Sequence, residues 1–179
     1  NPVPKACEIG AVEKIGARYY AMVGSQRRMF NFAGDAPQGP FHASPKNFQL
    51  LAGDSYFARF FPSPDGMLVT HHSITHEKRN LKMLCYAAPL KRAVVDGAGT
   101  LRLAYWKGND KLKGDAVAAR IRKSAKDASS VSFLDERFDA SRGVVVEGII
   151  AMPAAGQARS PGIFVEQEGG SGAALMFGP

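Results

Sequence analysis

Residues 56–73, YFARFFPSPDGMLVTHHS, read as one β-hairpin, and that reading decides the fold. Residues 56–61 form an aromatic strand, 62–66 a turn and 67–73 a second strand. Proline presets φ in the turn, and Asp65-Gly66 enters positive φ at little cost. Arg59 lies between aromatics in the first strand, and His71 and His72 close the second. An arginine among aromatics and two adjacent histidines point to a polar ligand site on a β scaffold. Neighbouring strand side chains point to opposite faces, so one histidine at most faces a given site.

The rest of the chain follows the same pattern. Residues 11–15 and 17–24 read as strands around a turn at Gly16, and 29–33 as another. A loop rich in Gly, Pro and Asp leads to the hairpin, after which 81–87, 91–96 and 100–106 read as strands. Strand-length runs at this spacing, separated by turn residues, predict an all-β sandwich, barrel or propeller. One helix is expected over 115–126, with Asp115 as N-cap and Lys123 and Lys126 near its C-terminal end. Beyond it, strands are expected at 131–134, 144–152 and 163–167, with a last one in GGSGAALMF. Glu147 interrupts a run otherwise read as buried on both faces.

Composition narrows the function. The 179 residues are 45% hydrophobic and 22% charged, ordinary for a folded domain, with no apolar run long enough to span a membrane. The N-terminus lacks a signal-peptide pattern, which leaves the compartment open, with a secreted or periplasmic one slightly favoured. The formal charge of +7 raises a nucleic-acid partner, but the densest basic stretch, Lys107 to Lys126, is broken by Asp110 and Asp115, with Asp127 directly after it, and matches no nucleic-acid signature. Nucleic acid is therefore not the expected partner. Cys7 and Cys85 lack metal-ligand spacing and fit either one disulfide or two buried thiols. No metal or cofactor is expected.

Three features, in order, resemble the five-bladed β-propeller glycosidases, the superfamily of arabinanases, β-xylosidases, invertases and levansucrases. They are CEIGAVEKIGARYYAMVGS at 7–25, Gly39-Pro40-Phe41, and the PDG hairpin ending in histidine. APLKRAVVDGAGTLRLAYW at 88–106 looks like a closing phrase, and FDASRGVVVEGII at 138–150 like the start of the β-sandwich that follows many such propellers. The resemblance implies consecutive blades over 1–113, a linker with a short helix over 114–130 and a partial sandwich over 131–179. It implies a fragment whose missing blades lie elsewhere in the protein or on another chain, and a carbohydrate substrate carrying fructosyl, arabinosyl or xylosyl units.

Glu8 matches the catalytic acid of that family, which starts the third blade. Glycoside hydrolysis needs a carboxylic acid to protonate the leaving oxygen and an opposing carboxylate to attack or to activate water. No residue here matches the second group. Arg59 is a substrate-binding candidate, against the alternative of a strand arginine paired with Asp54 or Asp65. His72 is preferred over His71 because related enzymes carry a histidine near the end of this strand. Trp106, beside Lys107-Gly108, is the aromatic expected to be most exposed, while Tyr56, Phe57, Phe60 and Phe61 divide between a sugar platform and core. His42 and His76 are expected at the surface. A non-catalytic carbohydrate-binding or structural piece, and a basic nucleic-acid-binding protein, are the other readings.

Overall fold

The computed structural model describes residues 7–76, 82–117, 145–148, 162–166 and 172–176. Among them the regular structure is antiparallel β with one short 3-10 helix, so the described part of the chain is all-β, consistent with the expected class. Backbone proximity divides it into two units, Asn1–Gly114 and Asp115–Pro179.

The first unit holds two sheets. In sheet A, β1 (Glu8–Ile15), β2 (Arg18–Ser25) and β3 (Arg28–Gly34) run up and down, and β3 also pairs with β4 (His42–Ala43) and β5 (Gln49–Leu51). Gly16, at φ 66°, makes the first turn as the sequence required. The second turn is less legible: Gln26 and Arg27 both take positive φ without a glycine or asparagine. Their conformation is held from outside. Arg27 forms an ion pair with Asp54, and its carbonyl accepts the Ser55 N–H at 3.2 Å.

Sheet B has the order β10-β9-β7-β6: β6 (Ser55–Ser63), β7 (Gly66–His76), β9 (Lys91–Val95) and β10 (Leu101–Tyr105). β8 (Met83–Ala87) pairs with the far half of β7, which also meets β9 at Leu68 and Val69. The hairpin turn is tighter than the sequence implied. β6 continues through Pro62 and Ser63, leaving only Pro64 and Asp65 between the paired Ser63 and Gly66. Two facts allow this. β6 ends the sheet, where a proline need not break a ladder, and Ser63 Oγ binds both the Asp65 N–H and the Gly66 carbonyl.

The two sheets pack face to face. Tyr20, Met22, Met29 and Ala33 from sheet A meet Ala58, Phe60, Val69, Ala93 and Leu101 from sheet B. Full burial of each large side chain is worth about 1.5–3 kcal/mol, against at most about 1 kcal/mol for a partly exposed ion pair such as Arg18–Asp35. Packing therefore sets the fold. Two polar contacts fix its register: the Tyr20 hydroxyl donates to the Gly99 carbonyl at 2.9 Å, and Asn47 Nδ2 donates to the Leu101 carbonyl at 2.7 Å. The turn they reach is shaped by Asp96, whose Oδ1 accepts from the N–H groups of Ala98 and Thr100. The Thr100 N–H, then Arg102, hold the Asp96 carboxyl below its usual range. The outer face of sheet A buries Ala21, Phe32 and Phe48.

The second unit contributes the antiparallel pair β11 (Gly162–Glu166) and β12 (Gly172–Met176), close to the strands expected there. Three expectations fail. Asp115, Ala116 and Val117 are not helical, so no helix starts at Asp115, and the rest of the proposed helix lies outside the described residues. Among the described residues the one helical element is a 3-10 helix, Lys107–Leu112, which falls in the basic stretch. Val145 and Val146, expected inside a buried strand, are 62% and 56% exposed and belong to no strand, since β-branched residues form one only where a partner strand pairs with them. The proposed strand at 131–134 lies outside the described residues. Cys7 and Cys85 are both exposed, which removes the expectation of buried thiols.

One core residue is out of character. Asn31 is fully buried opposite Met22, and neither amide atom has a hydrogen-bond partner among the described residues. An orphaned buried amide costs about 1–3 kcal/mol. Asn31→Val should therefore raise the urea unfolding midpoint; a lowered midpoint would mean that the amide is satisfied in solution.

Candidate functional site

Alternation along β7 separates the two histidines. His71 is 5% exposed and faces the core side of sheet B with Val69, whereas His72 is exposed. His72 pairs with Tyr56 at the start of β6. There the ladder slips: a bulge between Tyr56 and Arg59 leaves Phe57 at φ 52°, a strained conformation for an aromatic residue. The bulge turns the Phe57 ring outward, edge-on to His72 with centroids 5.5 Å apart, and 5.5 Å from Tyr56. An exposed imidazole and two rings thus share one end of the hairpin. Bulged, strained aromatics recur beside ligand sites.

Arg59 follows the bulge, opposite Thr70, and its guanidinium donates to the Ala58 carbonyl at 2.9 Å. It takes neither carboxylate proposed for it, because Asp54 pairs with Arg27 and Asp65 accepts from Trp106. Glu8 opens β1, paired with Gly24, and is exposed.

Trp106 lies at the other end of sheet B. Its Nε1–H donates to Asp65 Oδ2 in the β6–β7 turn at 2.8 Å, leaving the ring half-buried rather than the most exposed aromatic. From Tyr56 to Ser63 is seven residues of β6, roughly 20 Å of strand, so His72 and Trp106 belong to different ends of the hairpin. Around Trp106 a cleft of about 500 Å³ is lined by Pro64, Asp65, Arg92, Tyr105 and Lys107. Buried Asn109 donates its side-chain amide to the Leu90 carbonyl at 2.7 Å and its backbone N–H to the Trp106 carbonyl at 3.0 Å. Tyr105 donates to Asp110 at 2.6 Å, and Lys113 pairs with that carboxylate at 2.6 Å, which holds Asp110 below the usual carboxylate range.

The sequence reading missed the other lining residues. Arg92 and Tyr105 sit on strands it identified, and only the register brings them to Trp106. It also missed the pair between His71 and Lys91. Lys91 Nζ lies 2.8 Å from His71 Nε2 and 3.0 Å from the Pro89 carbonyl. The ammonium donates, so His71 carries its proton on Nδ1, facing the His72 carbonyl at 3.3 Å. Burial, then Lys91, push the His71 pKa down, and burial pushes Lys91 down.

Among the described residues no three His, Cys, Asp or Glu side chains cluster as a metal site, and no helix is long and apolar enough to cross a membrane. No protein-family model matches the chain, and neither curated proteins nor solved structures match it.

His71 makes the fold acid-sensitive. Its folded pKa lies below its unfolded value near 6.5, so the unfolded chain takes up a proton that the folded chain resists. The stability is present above pH 6.5 and is lost as pH falls through the folded pKa. The urea midpoint should drop between pH 7 and pH 5, and His71→Gln, which keeps an acceptor for Lys91, should flatten the drop. An equal drop in the variant would remove His71 as its cause.

Proposed function

We propose that the chain is part of a β-propeller enzyme that cleaves or transfers glycosyl units of the fructosyl, arabinosyl or xylosyl type, with the two sheets of the first unit as consecutive blades. One observation carries this reading. Two successive sheets, each assembled from neighbouring stretches of chain, stack face to face, with Glu8 on the first strand of one and Phe57 on the first strand of the other, beside His72 of the paired β7. Glu8 begins β1, and His72 with the strained Phe57 flanks the beginning of β6. In a propeller, first strands line the central funnel, which is where a substrate would meet such groups.

Within this reading Glu8 donates a proton to the leaving glycosidic oxygen. His72 hydrogen-bonds sugar hydroxyls, Phe57 and Tyr56 offer ring faces to sugar C–H bonds, and Arg59 borders the same stretch of β6. One carboxyl group cannot act on both faces of the sugar, and no residue here matches the family's opposing carboxylate, so this reading draws that group from the blades that precede Glu8 in the family. The bland alternative, a non-catalytic carbohydrate-binding piece, is favoured by the exposure of Glu8.

Hydrolysis of aryl glycosides by the whole protein decides between them. Glu8→Gln should slow cleavage of substrates with poor leaving groups by about 10²–10⁴-fold while sparing good leaving groups, which need no protonation. Equal loss on both kinds of substrate, or none, counts against Glu8 as the acid. Binding without any hydrolysis by the unmodified protein selects the non-catalytic reading.

A further inference from the structure

We propose that the cleft around Trp106 is a second saccharide subsite, selective for sugars bearing one acidic group, a carboxylate or a sulfate ester; this rests on the carbohydrate reading above. The cleft volume, about 500 Å³, falls in the range of about 300–1,000 Å³ usual for small-ligand sites. Its place at the turn end of the hairpin sets it apart from His72 and Phe57.

The indole is pre-positioned. Asp65 accepts its N–H from one side of the cleft. Gly108 lies against the ring so closely that a Cβ there would overlap indole Cη2 and Cζ2, which explains the glycine two residues after the tryptophan. A ring held this way loses little entropy when a sugar face stacks on it. Arg92, exposed on β9, lines the same cleft and takes part in none of the described ion pairs. A guanidinium is the side chain best shaped to grip a planar carboxylate, or two sulfate oxygens, through paired N–H bonds.

The charge balance selects the ligand class. Arg92 and Lys107 supply two positive charges and Asp65 one negative, which leaves a surplus of one. The neighbouring Asp110 and Lys113 neutralise each other. One surplus charge suits a singly charged sugar. A polyphosphate backbone would bring several negative charges up against Asp65. Asp65 also lines the cleft, and the oxygen that does not accept from Trp106 can accept from a sugar hydroxyl.

Trp106 is the single tryptophan of the chain, so its fluorescence reports this cleft alone. The chain is titrated with oligogalacturonate, a sulfated oligosaccharide, a neutral oligosaccharide of equal length and a single-stranded oligonucleotide. The account expects saturable changes with at least one acidic saccharide, weakened by salt, and affinity about tenfold lower for the neutral one. Arg92→Ala should remove that preference without moving the unfolding midpoint, as suits an exposed residue. The carboxylated and sulfated probes show which acidic group is preferred. Equal responses to neutral and acidic sugars overturn the proposal while leaving the carbohydrate reading in place. A response to the oligonucleotide alone, or to no probe, overturns it as well, and the aryl-glycoside assay then judges the glycosidase reading separately.

Discussion

Contact between the two sheets is the constraint on which the rest depends. Neither sheet buries its inner face alone; Tyr20, Met22 and Met29 are covered only because Phe60, Val69 and Leu101 lie against them. That packing leaves the ends of the strands, not their middles, as places where polar groups can gather. The Tyr20 hydroxyl shows how tightly the arrangement is registered, since it reaches across to a carbonyl in the β9–β10 turn. A slip of one residue in β2 would turn Tyr20 and Met22 to the outer face and bring Ala21 inward.

The β6–β7 hairpin carries the consequences. At one end, a bulge strains Phe57 and exposes His72; at the other, a two-residue turn offers Asp65 to Trp106. Between them the hairpin is core, with Ala58, Phe60, Leu68 and Val69 buried. Arg59 sits in the middle of β6, bonded to its own neighbour's carbonyl. The same hairpin thus serves two separate ends.

Much of this was legible because the signals were local. Gly16, the PDG turn and the alternation of β7 predict strands, turns and the opposite orientation of His71 and His72 from spacing alone. What was not legible depends on partners far along the chain. Arg27 takes positive φ because Asp54 and Ser55 hold it, Asp65 is claimed by Trp106 across 41 positions, and Lys91 meets His71 across 20. No helix begins at Asp115, and the rest of the helix expected there lies outside the described residues. The bulge at Phe57 had no signal at all, since an aromatic at positive φ is the least expected choice there.

The proposed glycosidase activity requires a larger particle that supplies a carboxylate opposite Glu8. Native mass spectrometry of the protein purified from its source, paired with denatured intact mass, tests this most directly. The account predicts additional polypeptide, either continuous with these 179 residues or bound to them. A particle made of this chain alone would contradict it.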